Sequence, residues 1–293
     1  MDNFIVLYNP LAGNGTAQDK MRELESLMQG DRLYFSNMLD IRDYGAFFND
    51  MPDGASIIIC GGDGTLNRFL NDTEDIRPDC DIYYYPSGSG NDFARDIGAE
   101  RGAPPVLINR YIERLPKICV NSKEHRFING IGYGIDGYCC EKGDELRGKG
   151  NGEVNYTAIA IKGLLFHYKP TGATITVDGV EHRFEKVWLA PTMIGRYYGG
   201  GMMPTPEQDR LNGDGAVSVM VYYGSGKLKS LAVFPSIFKG EHIKHSEMVA
   251  VLSGRNITVC FDEPRPLQID GETVPGVREY SVAACEEKVL QPA

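Results

Sequence analysis

The feature that most constrains this chain is a short, unbroken apolar run that ends in a glycine loop: Ile57-Ile58-Ile59-Cys60, then Gly61-Gly62-Asp63-Gly64-Thr65. Apolar residues in succession, without alternation, leave no face for water, so the run predicts a strand buried on both sides. Two further runs repeat the pattern. Residues 4–8 (FIVLY) lead into Asn9-Pro10-Leu11-Ala12-Gly13-Asn14-Gly15, and residues 82–85 (IYYY) lead into Pro86-Ser87-Gly88-Ser89-Gly90-Asn91-Asp92. Between them lie helical stretches, with Met21, Leu24, Leu27 and Met28 at helical spacing and residues 93–97 following the third loop. Buried strands separated by helices predict an α/β domain with a parallel sheet over residues 1–118.

The rhythm then changes. Residues 174–177 (TITV) enter the hairpin dipeptide Asp178-Gly179, and strands resume around Val187-Trp188-Leu189, at 217–221 and at 257–261. Only two helices are expected here, near residues 154–166 and 228–238. Residues 119–293 therefore read as a β-rich antiparallel domain, with the option that its last strand returns to the first domain. No long linker separates the halves, so the two domains are expected to face each other across a cleft.

The glycine loops carry the chemistry. Glycine lets the backbone approach a ligand closely, and loop amides followed by a helix start favour an anion. A glycine-rich turn is also simply a tight strand-to-helix connection, and Asn91 or Asp92 can cap the helix after the third loop. Asp63 shifts the balance. A bare acid inside an anion cradle repels phosphate by several kcal/mol at short range unless Mg²⁺ bridges them, which points to phosphoryl-transfer chemistry. None of the loops is a P-loop, since Gly15 is followed by Thr16-Ala17-Gln18-Asp19. Glycine loops at the ends of neighbouring strands converge on the crevice where open α/β sheets bind ligands.

Charge and cysteines exclude other classes. The formal net charge of −10 works against nucleic acid and anionic membranes as partners of the whole chain, so any attraction to a membrane must come from a local patch. The first residues lack the basic start and apolar core of a signal peptide, and no apolar run reaches the roughly 18 residues of a membrane span. Seven cysteines without a C-x-x-C pair suggest reduced thiols in the cytoplasm rather than zinc or disulfides. His242 and His245 form an HxxH without a neighbouring third ligand. A homodimer is allowed by these observations but not required.

Taken in order, Asn9-Pro10 with Gly13 and Gly15, then residues 61–67 (GGDGTLN), then Pro86-x-Gly88-x-x-Asn91-Asp92-Phe93-Ala94 resemble the diacylglycerol kinase catalytic domain family, which includes bacterial lipid kinases and sphingosine kinases. The resemblance continues through Gly132-x-Gly134-x-Asp136, Gly199-Gly200-Gly201-Met202, Asp214-Gly215 and Asp270-Gly271-Glu272. It implies a cytoplasmic, ATP-dependent lipid kinase, peripheral at the inner membrane face, with an ATP site between the domains. Nucleotide contacts are then expected from Asn9, Gly61, Gly62, Asp63, Gly64, Thr65, Leu66, Asn67 and Ser89, the last standing where Thr is common. Glu272 would accept the proton of the lipid hydroxyl. A structural Mg²⁺ would be held by the Asp214 carboxylate and carbonyls near Leu211 and Ala216, oxygen donors that suit a hard cation.

Two positions depart from the family form. Arg68 stands where Glu is usual, and Gly137 where Ala is common, the latter read as minor. Asp63 either organises catalytic Mg²⁺ or serves as base in place of Glu272. Two other readings stay open: an NAD kinase, which shares the Gly-Gly-Asp-Gly-Thr loop, and a catalytically weak lipid-binding or sensor protein, motivated by Arg68. Finally, Lys227, Lys229, Lys239 and Lys244 flank the apolar stretch 231–238, either a core-packed helix with solvated lysines or a segment that meets lipid headgroups.

Overall fold

Ile57, Ile58 and Ile59 are fully buried, as the unbroken apolar run requires. They lie in the middle of a unit whose elements run β1 (Asn3–Tyr8), α1 (Ala17–Leu27), β2 (Arg32–Asn37), α2 (Tyr44–Asn49), β3 (Ser56–Gly61), α3 (Asp63–Asp72), β4 (Ile82–Pro86), α4 (Asp92–Ile97), β5 (Val106–Leu107) and α5 (Asn109–Ile112). The computed structural model describes residues 2–10, 17–76, 78–88, 90–148 and 156–285. The chain divides into two units, Met1–Glu113 and Arg114–Ala293.

The first sheet has the order β2-β1-β3-β4-β5. Its first four strands are parallel and β5 is antiparallel to β4. The chain moves outward from β1 to β2, then returns past β1 to β3. That reversal makes the carboxyl ends of β1 and β3 the switch point where open α/β sheets bind ligands. Leu24 of α1 packs with Phe4, Val6, Ile58, Cys60 and Tyr85 against one face of the sheet. Each such side chain, fully buried, contributes about 1.5–3 kcal/mol. The glycine loops begin where β3 and β4 end. Gly13, Gly15 and Ser89 lie outside the described residues.

The second unit runs β6 (Lys117–Val120), β7 (Lys123–Arg126), β8 (Gly130–Tyr133), α6 (Ile135–Gly148) and α7 (Tyr156–Lys162), then a π-helical turn at Gly163–His167. It continues with β9 (Thr171–Val177), β10 (Val180–Val187), β11 (Thr192–Met193), β12 (Val217–Tyr222), α8 (Lys227–Val233), 3₁₀ turns at Phe234–Lys239 and Glu241–Lys244, β13 (Val249–Gly254), β14 (Asn256–Ile269) and β15 (Glu272–Ala283). The main sheet has the order β13-β12-β11-β8-β14-β15-β6-β7, with the β9–β10 hairpin joined to β14. All of these pairings are antiparallel, as the hairpin signals predict. Among the described residues the last strand, β15, lies in this sheet, between β14 and β6.

On the edge away from β15, β14 serves two partners. Residues 257–261 pair with β9, and residues 267–269 pair with β8. Between these stretches the register with β15 shifts on either side of Arg265. Pro264 and Pro266 flank it, and neither has an N–H to give to a ladder, so the strand breaks its pairing where a bulge is needed.

The expected helices are present as α7 with the π turn and α8 with the 3₁₀ turn, but α6 is a third. Its sequence hides it, because Gly137, Gly143 and Gly148 each cost about 1 kcal/mol relative to Ala in a helix. Two of these glycines are demanded by packing. A Cβ on Gly137 would sit 2.0 Å from the Pro266 carbonyl oxygen, and one on Gly143 would sit 2.6 Å from the Tyr156 ring. Gly137 is therefore no minor departure, since the backbone of α6 lies directly against β14. Among the described residues no helix is long and apolar enough to cross a membrane.

Candidate functional site

The two described glycine loops of the first unit touch backbone to backbone. A Cβ on Gly88 would lie 2.4 Å from the Gly62 Cα, and one on Gly61 would strike the Thr65 side chain at 2.4–2.5 Å. The Ser87 amide donates to the Gly61 carbonyl at 2.9 Å, tying the end of β4 to the end of β3. Asn91 folds the second loop on itself. Its backbone is left-handed, with φ of 53°, its Oδ1 accepts from the Gly88 amide at 3.0 Å, and its Nδ2 donates to the Gly88 carbonyl at 2.8 Å. The Arg101 guanidinium donates to the same carbonyl at 3.2 Å.

Asp63 is not a bare acid. Its Oδ2 accepts from the Asp92 amide at 2.8 Å and its Oδ1 from the Phe93 amide at 3.0 Å. It thus caps α4 from the neighbouring loop, a role the sequence pointed towards Asn91 or Asp92. Asn91, the residue before α4, makes no side-chain cap bond. Charge-assisted bonds from two amides at a helix start compensate the carboxylate, so it need not repel an anion nearby.

α3 differs. Its first turn follows Gly62 with no side-chain cap. The Thr65 and Leu66 amides donate to the Gly62 carbonyl at 3.0 and 3.1 Å, and both side chains are buried as backing. Gly64 is open, with nothing within 4 Å of where a Cβ would be. Asn67 points along the helix, its Oδ1 and carbonyl accepting from Asn71 Nδ2 at 3.1 and 3.0 Å. Arg68 is half-exposed and pairs with Asp72 one turn on, at 3.3 Å.

In the second unit Asp270 and Gly271 form a two-residue hairpin, with φ of 45° and 98° and Ile269 opposite Glu272. Positive φ at both positions is the signature of a type I′ turn, which Asp-Gly favours. The Asp270 carboxylate does more than turn the chain. It accepts from the amides of Ile128 at 2.6 Å, Asn129 at 2.9 Å and Gly130 at 3.0 Å. Glu272, the first residue of β15, is exposed, and its carboxylate has no partner among the described residues.

The turn is also held from beneath. The buried Gln268 donates from Nε2 to Asp136 Oδ2 at 2.9 Å, and its Oε1 accepts from the Gly271 amide at 2.5 Å. Both ends of the amide are used, which fixes its orientation. Burial pushes the Asp136 carboxyl up to about 6, against the opposing pull of the Gln268 hydrogen bond. A Cβ on Gly132 would fall 1.7 Å from Asp136 Oδ2, which is why glycine stands there. Gln268 escaped the sequence reading. Its only signal is a polar residue between buried Leu267 and Ile269.

The 211–216 loop is closed by its own side chains. Asp214 Oδ1 accepts from the Ala216 amide at 3.1 Å, and the Asp214 carbonyl accepts from Arg255. The Ala216 carbonyl accepts from Gln208 Nε2 at 2.9 Å and Asn212 Nδ2 at 2.8 Å, while the Leu211 amide donates to Asp209 at 2.9 Å. Asn212 Oδ1 is buried without a hydrogen-bond partner. An orphaned buried oxygen beside a carboxylate fits a hard cation, although ligation by the Ala216 carbonyl requires one of its two donors to let go. His242 is buried, with Nε2 2.9 Å from the Pro204 carbonyl. Among the described residues no three His, Cys, Asp or Glu side chains gather to hold a metal.

An α/β unit with paired glycine loops, followed by an antiparallel unit carrying an acid beside a clamped hairpin, defines a protein with a two-domain kinase fold. Residues 3–117 match the Diacylglycerol kinase catalytic domain, and residues 129–286, over half of the chain, match the YegS C-terminal NAD kinase beta sandwich-like domain. The chain belongs to the diacylglycerol kinase family in which these two domains are joined. It is 26% identical over 246 residues to a protein named diacylglycerol kinase from Mycobacterium tuberculosis (strain ATCC 25618 / H37Rv), covering 81% of this chain and 77% of the relative. It is 28% identical over 224 residues to one of the same name from Bacillus subtilis (strain 168), covering 74% and 70%. A crystal structure of a diacylglycerol kinase from Bacillus anthracis str. Sterne is similar in fold, with a TM-score of 0.62 at 20% identity, over 97% of this chain and 94% of that one.

Proposed function

We propose that this protein is an ATP-dependent lipid kinase that transfers the γ-phosphoryl group to a hydroxyl of diacylglycerol or a related lipid at a membrane face. The observation that carries the reading is the division of labour between the two loops. Asp63 of the first loop caps the helix after the second, so α4 is satisfied while the start of α3 stays available to an anion. Gly61, Gly62, Gly64, Thr65, Leu66 and Asn67 then form the nucleotide loop, and Asn9 and Ser89 are further nucleotide contacts in this reading. Asp63 holds the loops together. That leaves Glu272 as the base: with no partner on its carboxylate among the described residues, it takes the hydroxyl proton as the lipid oxygen bonds to phosphorus and ADP leaves.

Magnesium bound with ATP supplies charge neutralisation to the transferring group. In the second unit an ion would be held by the Asp214 carboxylate with the Leu211 and Ala216 carbonyls, stiffening that loop. The test is transfer from γ-labelled ATP by the purified protein to diacylglycerol, a sphingoid base and NAD offered separately. Label in diacylglycerol is the expected result. Label in NAD alone would make it an NAD kinase, and lipid binding without any label would make it a sensor.

A further inference from the structure

Gln268 and Thr273 stand opposite each other across the β14–β15 hairpin, one pair further from the turn than Ile269 and Glu272. Residues paired directly across an antiparallel ladder share a face, and the next pair along takes the other face. Gln268 and Thr273 both reach α6. Gln268 Nε2 donates to Asp136 Oδ2 at 2.9 Å, and Thr273 Oγ1 donates to Asp144 Oδ2 at 2.7 Å, about two turns further along the same helix. Gly132 of β8 continues the row, and its missing Cβ makes room for Asp136. Glu272 therefore leaves the hairpin on the face turned away from α6.

The hairpin has no need of these bonds in order to close. Asp270 and Gly271 supply the turn, and the Asp270 carboxylate ties it to the amides of Ile128, Asn129 and Gly130. What that clamp leaves undetermined is the roll of β15 about its own axis. A small roll swings a long side chain by far more than it moves the backbone. Two bonds on the back face, made to two points along one helix, remove that freedom. The helix cannot follow the hairpin, since the backbone of Gly137 lies directly on Pro266. Gln268 also grips the turn itself, its Oε1 accepting from the amide of Gly271, the residue before Glu272.

We propose that Gln268 and Thr273 are positioning residues, which aim the Glu272 carboxylate for proton transfer by anchoring the back of its hairpin to α6. The inference rests on the reading of Glu272 as the base of a lipid kinase. Neither side chain touches the reacting atoms.

The test is steady-state transfer from γ-labelled ATP to diacylglycerol, with backbone hydrogen exchange followed on the same variants without nucleotide. Gln268→Leu should lower kcat about 10–100-fold and leave the KM for ATP within about twofold, the loss expected when a reacting group is misplaced rather than removed. Thr273→Val should lower kcat about threefold to tenfold, and Thr273→Ser, which keeps the hydroxyl, should keep parent activity. Exchange of the Gly271 amide should quicken in Gln268→Leu while the amides of Ile128, Asn129 and Gly130 stay protected.

Gln268→Glu gives a readout that a purely structural role would not move. Burial and nearness to Asp136 make the two carboxyls share one proton at lower pH. The new carboxyl then donates to Asp136 Oδ2 and accepts from the Gly271 amide, as the amide side chain did. The Cys139 thiol and the Tyr198 hydroxyl, which also lie near Asp136, are pushed up by burial and stay neutral. Once both carboxyls ionise they repel, and the grip opens. The ratio of this variant's kcat to the parent's should therefore fall as pH is raised from about 6 to about 8, with both proteins well below their melting temperatures.

Parent-like kcat in Gln268→Leu would overturn the proposal, as would equal losses in Thr273→Val and Thr273→Ser. So would a Gln268→Glu ratio indifferent to pH, or unchanged exchange at Gly271. Absence of transfer by the parent itself is a different failure. It would sink the kinase reading and with it the task given to Glu272, and the anchoring to α6 would then be judged by the exchange result alone.

Discussion

Asp63 in the first unit and Asp270 in the second are both carboxylates laid against backbone amides, yet they serve opposite ends. Asp63 is itself the acid of the glycine loop, and its two oxygens are taken by the start of α4. What that loop offers a ligand is backbone. Asp270 spends its oxygens on Ile128, Asn129 and Gly130, and two residues later Glu272 is left to solvent. What that hairpin offers is a carboxylate. The difference teaches that an acid in a glycine loop is not by itself a catalytic acid; the amides around it decide.

The sharpest way to break this comparison is Glu272→Gln, which keeps size and removes basicity. A fall in kcat of about 10²–10⁴-fold, with ATP affinity and melting temperature nearly unchanged, is expected from steady-state kinetics and thermal unfolding. Near-parent kcat would return the base to Asp63. Next come the clamps themselves. Asp270→Asn should cost about 2–3 kcal/mol in denaturant unfolding and Asp63→Asn about 1–2, because an amide side chain turns a donor towards a backbone donor and the bonds lost are charge-assisted. Equal activity losses with no stability loss would mean that the clamps are not structural.

Gly88→Ala addresses the loop contact directly. A methyl placed 2.4 Å from the Gly62 Cα must part the loops, so ATP affinity should fall by about 1–3 kcal/mol in calorimetric titration. The smallest effect is in pH. Burial raises Asp136 from an ordinary value of 3.8 to about 6, so between those values the folded chain holds a proton that the unfolded chain releases. Stability therefore falls as pH rises through that window and levels off above it, by about 1–2 kcal/mol once the partial exposure of Asp136 is allowed for. Asp136→Asn should flatten the slope.

Much of the fold was legible because each buried strand of the parallel sheet is an apolar run with a loop at its carboxyl end. β2 was harder to see. It is an edge strand whose residues are only partly buried, so its sequence RLYFSN carries no clear run. α6 was hidden because Gly137 and Gly143, chosen for close approach to Pro266 and Tyr156, lower the very propensity by which a helix is recognised. At the site, Asp63, Asp270 and Glu272 stood out as acids next to glycines. Their division into clamps and a free carboxylate did not, since it depends on which amides lie opposite. Gln268 was invisible for the same reason: one glutamine in a strand says nothing until Asp136 and Gly271 are found at its two ends.

The interrupted pairing of β14 has a consequence for change over time. Its first half is laced to the β9–β10 hairpin and its second half to β8 and the turn before Glu272, with prolines stripping donors from the stretch between. A ladder without that gap would transmit any slip in the hairpin, residue by residue, to the turn. With the gap, the β9–β10 hairpin can be varied while the turn keeps its register, provided Asp178 stays, since its carboxylate accepts from the Arg255 and Asn256 amides where β14 begins.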